Sequence, residues 1–467
     1  MKHLVIPLAA SAAALTWGNP IVPRDSKTAV VQFGNDTGTP QHLASGILYG
    51  VPDAKNQISP HFFTDIGYNY ERAGGAQIPA PGRGWIWGLS EYENRFASVL
   101  SNYHSARQFN ANFIFLIHDL WGADGTQNAS APYPGDDGNW SSWDSYLDHV
   151  IADMRANQMT DGMIIDIWNE PDLSLFWNRD QDQYIQLWGR TYSRLRNEFG
   201  TSIQLSGPAT SSSPSPSDQW WANWCSFVSS NQSIPDQYAW HMETGGGDLL
   251  SSQAGLLSLL SAHNLPARPV NINEYGIYSE QVPAGSAWWI SQLERIDAPG
   301  LRGNWLSEYA LHDFMASLLS KPRAESDYSN TSTGYFPNGD YQVYKYYKVN
   351  MTGRRVGSLP SEDLKLDAYA VAGSDGWAHV LVGVRDATGT WQLRLEDLSA
   401  LGLPADGTLG VHTWGFAVAE DVHYGKVEEP VDLGWYDHDY VGDAVTFPVY
   451  QEDTVTAYAF EFRMGGD

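Results

Sequence analysis

The chain has 467 residues and a formal net charge of −27 at pH 7, so it is too long for one compact core and points to two domains. Its hydrophobic content of 42% excludes a disordered chain. A surface this acidic also repels nucleic acid and anionic membranes.

The chain opens Met1-Lys2-His3, followed by an alanine-rich apolar stretch from Leu4 to Leu15. A positive start and a short apolar run describe a secretory signal peptide over residues 1–18, with cleavage expected between Ala14 and Arg24. No other stretch is long and apolar enough to span a bilayer. The run Ala29–Phe33 reads as a strand preceding the first domain and is expected to pair with the second. From Leu43 onward, strand-like and helix-like segments alternate. The expected strands are Gly46–Gly50, Tyr68–Arg72, Asn112–His118, Met163–Asn169, Ile203–Ser206, Tyr238–His241, Val270–Glu274 and Leu301–Trp305. Between them lie stripes at helical spacing, such as Tyr92, Phe96, Leu100, Tyr103 and Tyr184, Leu187, Trp188, Tyr192, Leu195. Eight strand–helix units predict an α/β fold of the (β/α)8 barrel type, a TIM barrel, over residues 43–350. The long Gly122–Asp144 loop and the Ser211–Ser217 tract follow strands and are expected to shape the barrel's functional face.

Beyond Lys365 the pattern shortens to alternating runs, such as Ala368–Val371 and His379–Val384, separated by turns such as Gly373-Ser374-Asp375-Gly376. This predicts a C-terminal antiparallel β-sandwich over residues 360–467. No aromatic cluster can be placed on one exposed face of it from the sequence. The segment Tyr341–Val356 is expected to pack between the two domains. Six Asn-x-Ser/Thr sites occur, at Asn35, Asn128, Asn139, Asn231, Asn330 and Asn350. With the signal segment they suggest a secreted, extracellular glycoprotein. Cys225 is the sole cysteine, so no internal disulfide is available.

Two apolar runs carry the chemistry. Met163-Ile164-Ile165-Asp166-Ile167-Trp168-Asn169-Glu170-Pro171 and Pro269-Val270-Asn271-Ile272-Asn273-Glu274-Tyr275-Gly276 read as buried strands, each stopped just after a glutamate. Barrel enzymes place their reacting groups at strand C-termini. Two carboxylates facing one cavity suit glycosidic bond cleavage, in which one donates a proton and the other attacks the sugar or activates water. The 20 tryptophans also lean toward a carbohydrate ligand, whose pyranose rings stack on flat aromatic faces.

The words Trp168-Asn169-Glu170-Pro171-Asp172 resemble the acid/base motif of clan A glycoside hydrolases, which carry Asn-Glu after the fourth barrel strand and a nucleophilic glutamate after the seventh. Glu274 ends the seventh expected strand, and with a sandwich after the barrel the chain most resembles glycoside hydrolase family 39. The resemblance implies a retaining hydrolase of the β-xylosidase or a related arabinoside- or galactoside-releasing type, acting on plant polysaccharide side chains. Glu170 is then the acid/base, Glu274 the nucleophile, Asn169 a ligand of the sugar 2-hydroxyl, Arg72 a partner of the nucleophile, and Trp305 a platform under the sugar.

His118 and His241, at the ends of the third and sixth expected strands, are candidates to hold a hydroxyl or orient a glutamate. Tyr275 and Tyr278 are candidates to line the cleft, and Trp85, Trp87, Trp121 and Trp168 to lie on the active face. Asp166, Trp168 and Glu170 share parity on an extended strand and are expected to face one side. Asp119 lies beside His118, and Asp166 reads equally as a structural carboxylate. No metal or cofactor is expected: His241 and Glu243 are two apart, without further ligand spacing. The alternatives are an α-L-iduronidase-like hydrolase, disfavoured by the acidity, and a non-catalytic carbohydrate-binding protein on a barrel scaffold.

Overall fold

The computed structural model describes residues 26–128, 130–243, 247–303, 311–324, 326 and 332–465. The expected signal segment 1–18, Trp305 and Asn330 lie outside these residues. In chain order, β1 (Thr28–Gly38) precedes a series in which β2 (Gly46–Leu48), α1 (Pro60–Asp65), β3 (Tyr70–Ala73), α2 (Leu89–Gln108), β4 (Asn112–Leu116), α3 (Ile117–Trp121), α4 (Ser141–Ala156), β5 (Met163–Asp166) and α5 (Gln181–Phe199) form the first half. The second half comprises β6 (Gln204–Thr210), α6 (Gln219–Ser230), β7 (Gln237–Met242), α7 (Leu249–Ala262), β8 (Val270–Tyr275), α8 (Pro283–Arg295) and β9 (Gly300–Arg302). A two-stranded β10 (Leu319–Ser320) and β11 (Phe336–Pro337) and helix α9 (Gly339–Val349) follow. The chain ends in β12 (Arg354–Leu359), β13 (Leu366–Ala372), β14 (Trp377–Val384), β15 (Gly389–Glu396), β16 (Gly407–Phe416), β17 (Val431–Tyr440), β18 (Ala444–Gln451) and β19 (Ala457–Arg463).

Strands β2 to β9 close into a parallel barrel in sequence order, β9 pairing back onto β2. The loops that lead into several helices end on a short acid or amide. Asp180, Asp218 and Asp248 accept the first-turn N–H of Gln183, Trp220 and Ser251 at 2.8, 2.8 and 2.9 Å, and Asn338 caps α9 through Tyr341 at 3.0 Å. Each such cap is worth about 1 kcal/mol and fixes where the helix starts. Inside the barrel, Ile114, Ile164 and Leu301 pack with Tyr70 as an apolar layer. Two residues further along β3 and β5, on the same face, come Arg72 and Asp166. The barrel floor is therefore apolar, and the layer above it toward the strand C-termini is charged.

The sequence placed several boundaries too late. β4 ends at Leu116, so His118 sits on the short helix α3 rather than on a strand. β5 ends at Asp166, and the parity argument for Trp168 and Glu170 fails with it. Asp166 faces Arg72 inside the barrel, whereas Trp168 packs on Trp143 of α4 and on Trp177.

Nine strands form the second sheet in the order β17-β16-β19-β14-β13-β12-β1-β15-β18. It is not wholly antiparallel: β1 runs antiparallel to β12 but parallel to β15. The early strand thus lies inside the sheet, third from one edge, and the chain passes from sheet to barrel and back. Alternation in the central strands explains how the two domains join. Ala368, Ala370, Val380 and Val382 face a core within the sandwich, and Tyr369, Val371 and Leu381 face the barrel's own core. Helix α8 is buried between them and reaches β14 closely. A Cβ on Gly383 would lie 2.2 Å from the Ala284 carbonyl oxygen, so glycine permits the contact. Arg355 bonds Glu294 at 2.9 Å and Gln292 bonds Asp367 at 2.7 Å across this seam.

The outer face of the sheet does carry an aromatic cluster. Trp435 is 57% exposed and stacks on His412 at 4.8 Å, with Trp377 at 6.0 Å. His412 and Trp435 face each other across the β16–β17 pair, and Trp377 comes from β14, two strands away in the sheet, so no single run of sequence reveals the cluster. Of the sequon asparagines, Asn35, Asn128, Asn139 and Asn231 are exposed and Asn350 is half-buried. Cys225 is buried in α6.

Candidate active site

Glu170 follows β5 in a turn with a φ of 41°, a left-handed value that costs a non-glycine residue conformational energy and is held by its surroundings. Its N–H donates to the Ala209 carbonyl at 2.9 Å, and its own carbonyl accepts from Leu173. Asp172, two residues on, accepts four bonds of 2.9–3.0 Å from the backbone and hydroxyls of Ser211 and Ser212. The acid's loop is thereby tied to the loop after β6.

On β8 both Asn273 and Glu274 reach the barrel's charged layer, which a regular alternating strand forbids. The ladder is irregular there, between Ala239 and His241 toward β7 and between Ile272 and Tyr275 toward β9. A bulge of this kind re-aims a side chain. Asn273 donates to Asp166 at 2.7 Å, and Glu274 accepts from Arg72 Nη1.

Arg72, fully buried, organises the centre. It donates to Asp166 at 2.9 and 3.1 Å, to Asn169 Oδ1 at 2.8 Å and to Glu274. The planar guanidinium suits this fork of acceptors, where a lysine would not. Its partners are these, and not the sequence-adjacent acids Asp65 or Glu71. Asn169, 5% exposed, is oriented by that bond. His241 Nδ1 lies 2.8 Å from Glu170 Oε1 and 3.5 Å from Glu274 Oε2. An oxygen from each of Glu170, Glu243 and Glu274 and a nitrogen of His241 all fall within 4.8 Å of one another.

The electrostatics separate the two carboxylates. Burial raises Glu170 to about 7, with the Asp172 charge adding to it and Arg72 opposing. Glu274 instead pairs with Arg72. Burial lowers His241 to about 4, so its imidazole is neutral near pH 7. Asp166 is pushed up to about 6 by burial even against Arg72. The four converging donors resemble a cation site in number, but Glu170, His241 and Glu274 are already engaged. Arg72 sits on Glu274 and His241 bonds Glu170, so a metal ion would have to be placed beside a buried guanidinium.

Of the residues singled out from sequence, Glu170, Glu274, Asn169, Arg72 and His241 come together. His118 is near but not among them: its Nδ1 lies 3.0 Å from Asp119 Oδ1, misaligned for a hydrogen bond, and its ring packs edge-on to Trp168. Asp119 accepts from the Tyr49 hydroxyl. Tyr275 is turned away into the core, bonding Ala44 O at 2.8 Å and the Tyr344 hydroxyl at 2.7 Å. Tyr278 is exposed and packs, tilted, against His423 with ring centroids 4.4 Å apart. Trp121 and Trp168 are fully buried in the helix layer, while Trp85 bonds Ser142 and Trp87 stacks on Arg83. Sequence reasoning gave Glu243 no role beyond a discarded metal ligand. The spacing His241-x-Glu243 at a strand end, which puts both side chains on one side, was the available signal.

No protein-family model and no curated protein matches the sequence. Solved structures do match over almost the whole chain. A protein of Neocallimastix frontalis aligns with a TM-score of 0.73 at 19% identity, covering 94% of this chain and 99% of that one. A glycoside hydrolase family 39 enzyme of Xanthomonas axonopodis pv. citri aligns at 0.56 and 14%, covering 95% and 99%. A monomeric β-xylosidase of Caulobacter crescentus aligns at 0.56 and 14%, covering 94% and 100%. At these identities the likeness is one of fold: a TIM barrel with a C-terminal sandwich.

Proposed function

We propose that the protein is a retaining glycoside hydrolase of the clan A type. The observation that carries this is the Glu170–Glu274 pair, with carboxylate oxygens within 4.8 Å of one another at the C-terminal end of the barrel. Retaining enzymes hold their carboxyls about 5–5.5 Å apart, and inverting ones about 6.5–9.5 Å, to admit a water. Glu170, neutral up to about pH 7, would protonate the departing glycosidic oxygen. Glu274, paired with Arg72, would attack the anomeric carbon. With the glycosyl ester formed, Glu170 would take a proton from water and complete hydrolysis. Asn169, fixed through its oxygen by Arg72, would turn its NH2 toward the sugar 2-hydroxyl, a contact that strengthens as the ring flattens.

The substrate reading is a neutral glycoside from plant polysaccharide side chains, of the xyloside, arabinoside or galactoside class. The structural neighbours' own activities, β-xylosidase and family 51 α-L-arabinofuranosidase among them, support it. So does the charge of the site. Among the described residues the cation touching the pair is Arg72, already engaged with Asp166, Asn169 and Glu274. A uronate carboxylate would therefore meet glutamates without a free counter-charge, which disfavours an iduronide. Secretion through the N-terminal segment and glycosylation at the exposed sequons complete the proposal.

The test is a panel of nitrophenyl glycosides and of xylan and arabinogalactan oligosaccharides, with proton NMR of the first-formed anomer. Hydrolysis with retention is expected, and loss of it in Glu274→Ala. Inversion, or turnover that survives Glu274→Ala, would refute the mechanism.

A further inference from the structure

We infer that Glu243 is a positioning residue of this site: a neutral carboxylic acid that holds a proton against Glu274 and donates it as a hydrogen bond to the nucleophile. The inference rests on the reading of Glu170 and Glu274 as the hydrolytic pair.

The argument begins with placement. Glu243 directly follows β7, and one of its oxygens falls within 4.8 Å of a nitrogen of His241. One of its carboxylate oxygens lies within 4.8 Å of an oxygen of Glu274 and of an oxygen of Glu170. Its Oε1 is buried without a hydrogen-bond partner among the described residues.

Charge accounting then decides its protonation state. Among the described residues the charged groups that act on it are Glu274 from β8, Glu170 from the loop after β5 and Arg72 from β3, and His241 of β7 lies in the same cluster. His241 is neutral near pH 7. Arg72 is shared between Asp166 and Glu274. Among the described residues no positive charge is left for a third carboxylate, and two ionised carboxylates cannot rest against each other in a buried site. One of Glu243 and Glu274 must carry a proton. Arg72 touches Glu274, so the proton resides on Glu243, whose ionisation is pushed well above the usual carboxylate range by burial and then by the Glu274 and Glu170 charges. Its O–H bond then orients Glu274 for attack. In the covalent intermediate the same O–H would face the ester and stabilise the carboxylate as it leaves.

The experiment compares Glu243→Gln with Glu243→Ala by two readouts. Gln keeps a neutral donor, and Ala removes it. On a glycoside that the wild type hydrolyses, Glu243→Gln is expected to keep kcat/KM within about threefold and its acid limb in place. Glu243→Ala is expected to lose about tenfold or more and to move the acid limb up by about one pH unit, because a carboxylate that loses a donor is harder to keep ionised. A glutamine that fails as badly as alanine would show that an ionised Glu243 is needed. An alanine that matches wild type would show a bystander. Either result overturns the inference.

The second readout needs no substrate. Glu243 is raised in the folded state, so its contribution to stability is full below its unfolded value of about 4.3 and is lost as pH rises through the folded value. The melting temperature of Glu243→Gln minus that of wild type is therefore expected to increase from about pH 5 to pH 9. A flat difference would overturn the assignment. An enzyme inactive on every glycoside, yet showing this slope, would refute the hydrolase reading and leave the proton on Glu243.

Discussion

Replacing Arg72 by methionine probes the whole charged layer at once. The guanidinium is fully buried and makes three hydrogen bonds of 2.8–3.1 Å to Asp166 and Asn169, besides its bond to Glu274. Methionine fills most of its volume but leaves Asp166 and Glu274 buried without their cation. Removing one partner of a buried ion pair costs about 3–5 kcal/mol. The cost depends on pH with a definite sign. Asp166 already stands at about 6, raised chiefly by burial and held down by Arg72. Without Arg72 it rises further, so in the variant it is protonated at low pH and must ionise, unpaired, as pH climbs. The deficit against wild type is therefore small near pH 5 and approaches about 3–5 kcal/mol near pH 8. Urea unfolding of both proteins at the two pH values measures it. Alongside, kcat/KM should fall by about 10²–10³-fold, the scale of losing one preorganised donor in a dry site. A variant within about 1 kcal/mol of wild type at both pH values would refute the claim that Arg72 neutralises this layer.

Glu170→Ala should retain turnover of dinitrophenyl glycosides, whose leaving group needs no proton, and lose that of alkyl glycosides; added azide should accelerate the former by intercepting the intermediate. Equal losses on both substrates would remove Glu170 from the acid role. In the wild type, kcat/KM should fall as pH rises through about 7, where Glu170 loses its proton; a profile flat to pH 9 would contradict this. Truncation after Pro360 strips Tyr369, Val371 and Leu381 from the barrel's core and should give insoluble protein, while Gly383→Ala, which places a Cβ 2.2 Å from the Ala284 carbonyl, should cost about 1–3 kcal/mol. A soluble, active barrel fragment would show the two domains to be separable.

The barrel was legible because each buried parallel strand is an unbroken apolar run, stopped by a residue such as Pro171 or Gly276. The paired glutamates were legible for the same reason, since they are charges placed where those runs end. What the sequence concealed depends on departures from regular geometry. Alternation put Asp166, Trp168 and Glu170 on one side, but the strand ends at Asp166 and Glu170 adopts a left-handed φ. Alternation would also place Asn273 and Glu274 on opposite faces, yet the irregular β8 ladder brings both inward. Tyr275 then turns into the core against Tyr344, a residue 69 positions away. Long-range partners also decided the fates of Trp121 and Trp168, which aromatic counting assigned to the active face and packing assigned to the helix layer. The parallel pairing of β1 with β15 has no local signature, because strands more than 350 residues apart meet only in the folded sheet.

The most direct test of the central claim is to trap the intermediate. A 2-deoxy-2-fluoro glycoside with a good leaving group, its sugar chosen from the panel's best substrate, slows the second step so that the glycosyl-enzyme accumulates. Mass spectrometry of the intact protein should then show one added sugar, and peptide mapping should place it on Glu274, with none on a Glu274→Gln variant. A sugar attached to Glu170 or Glu243, or an enzyme that turns over its substrate but is never labelled, would contradict the account.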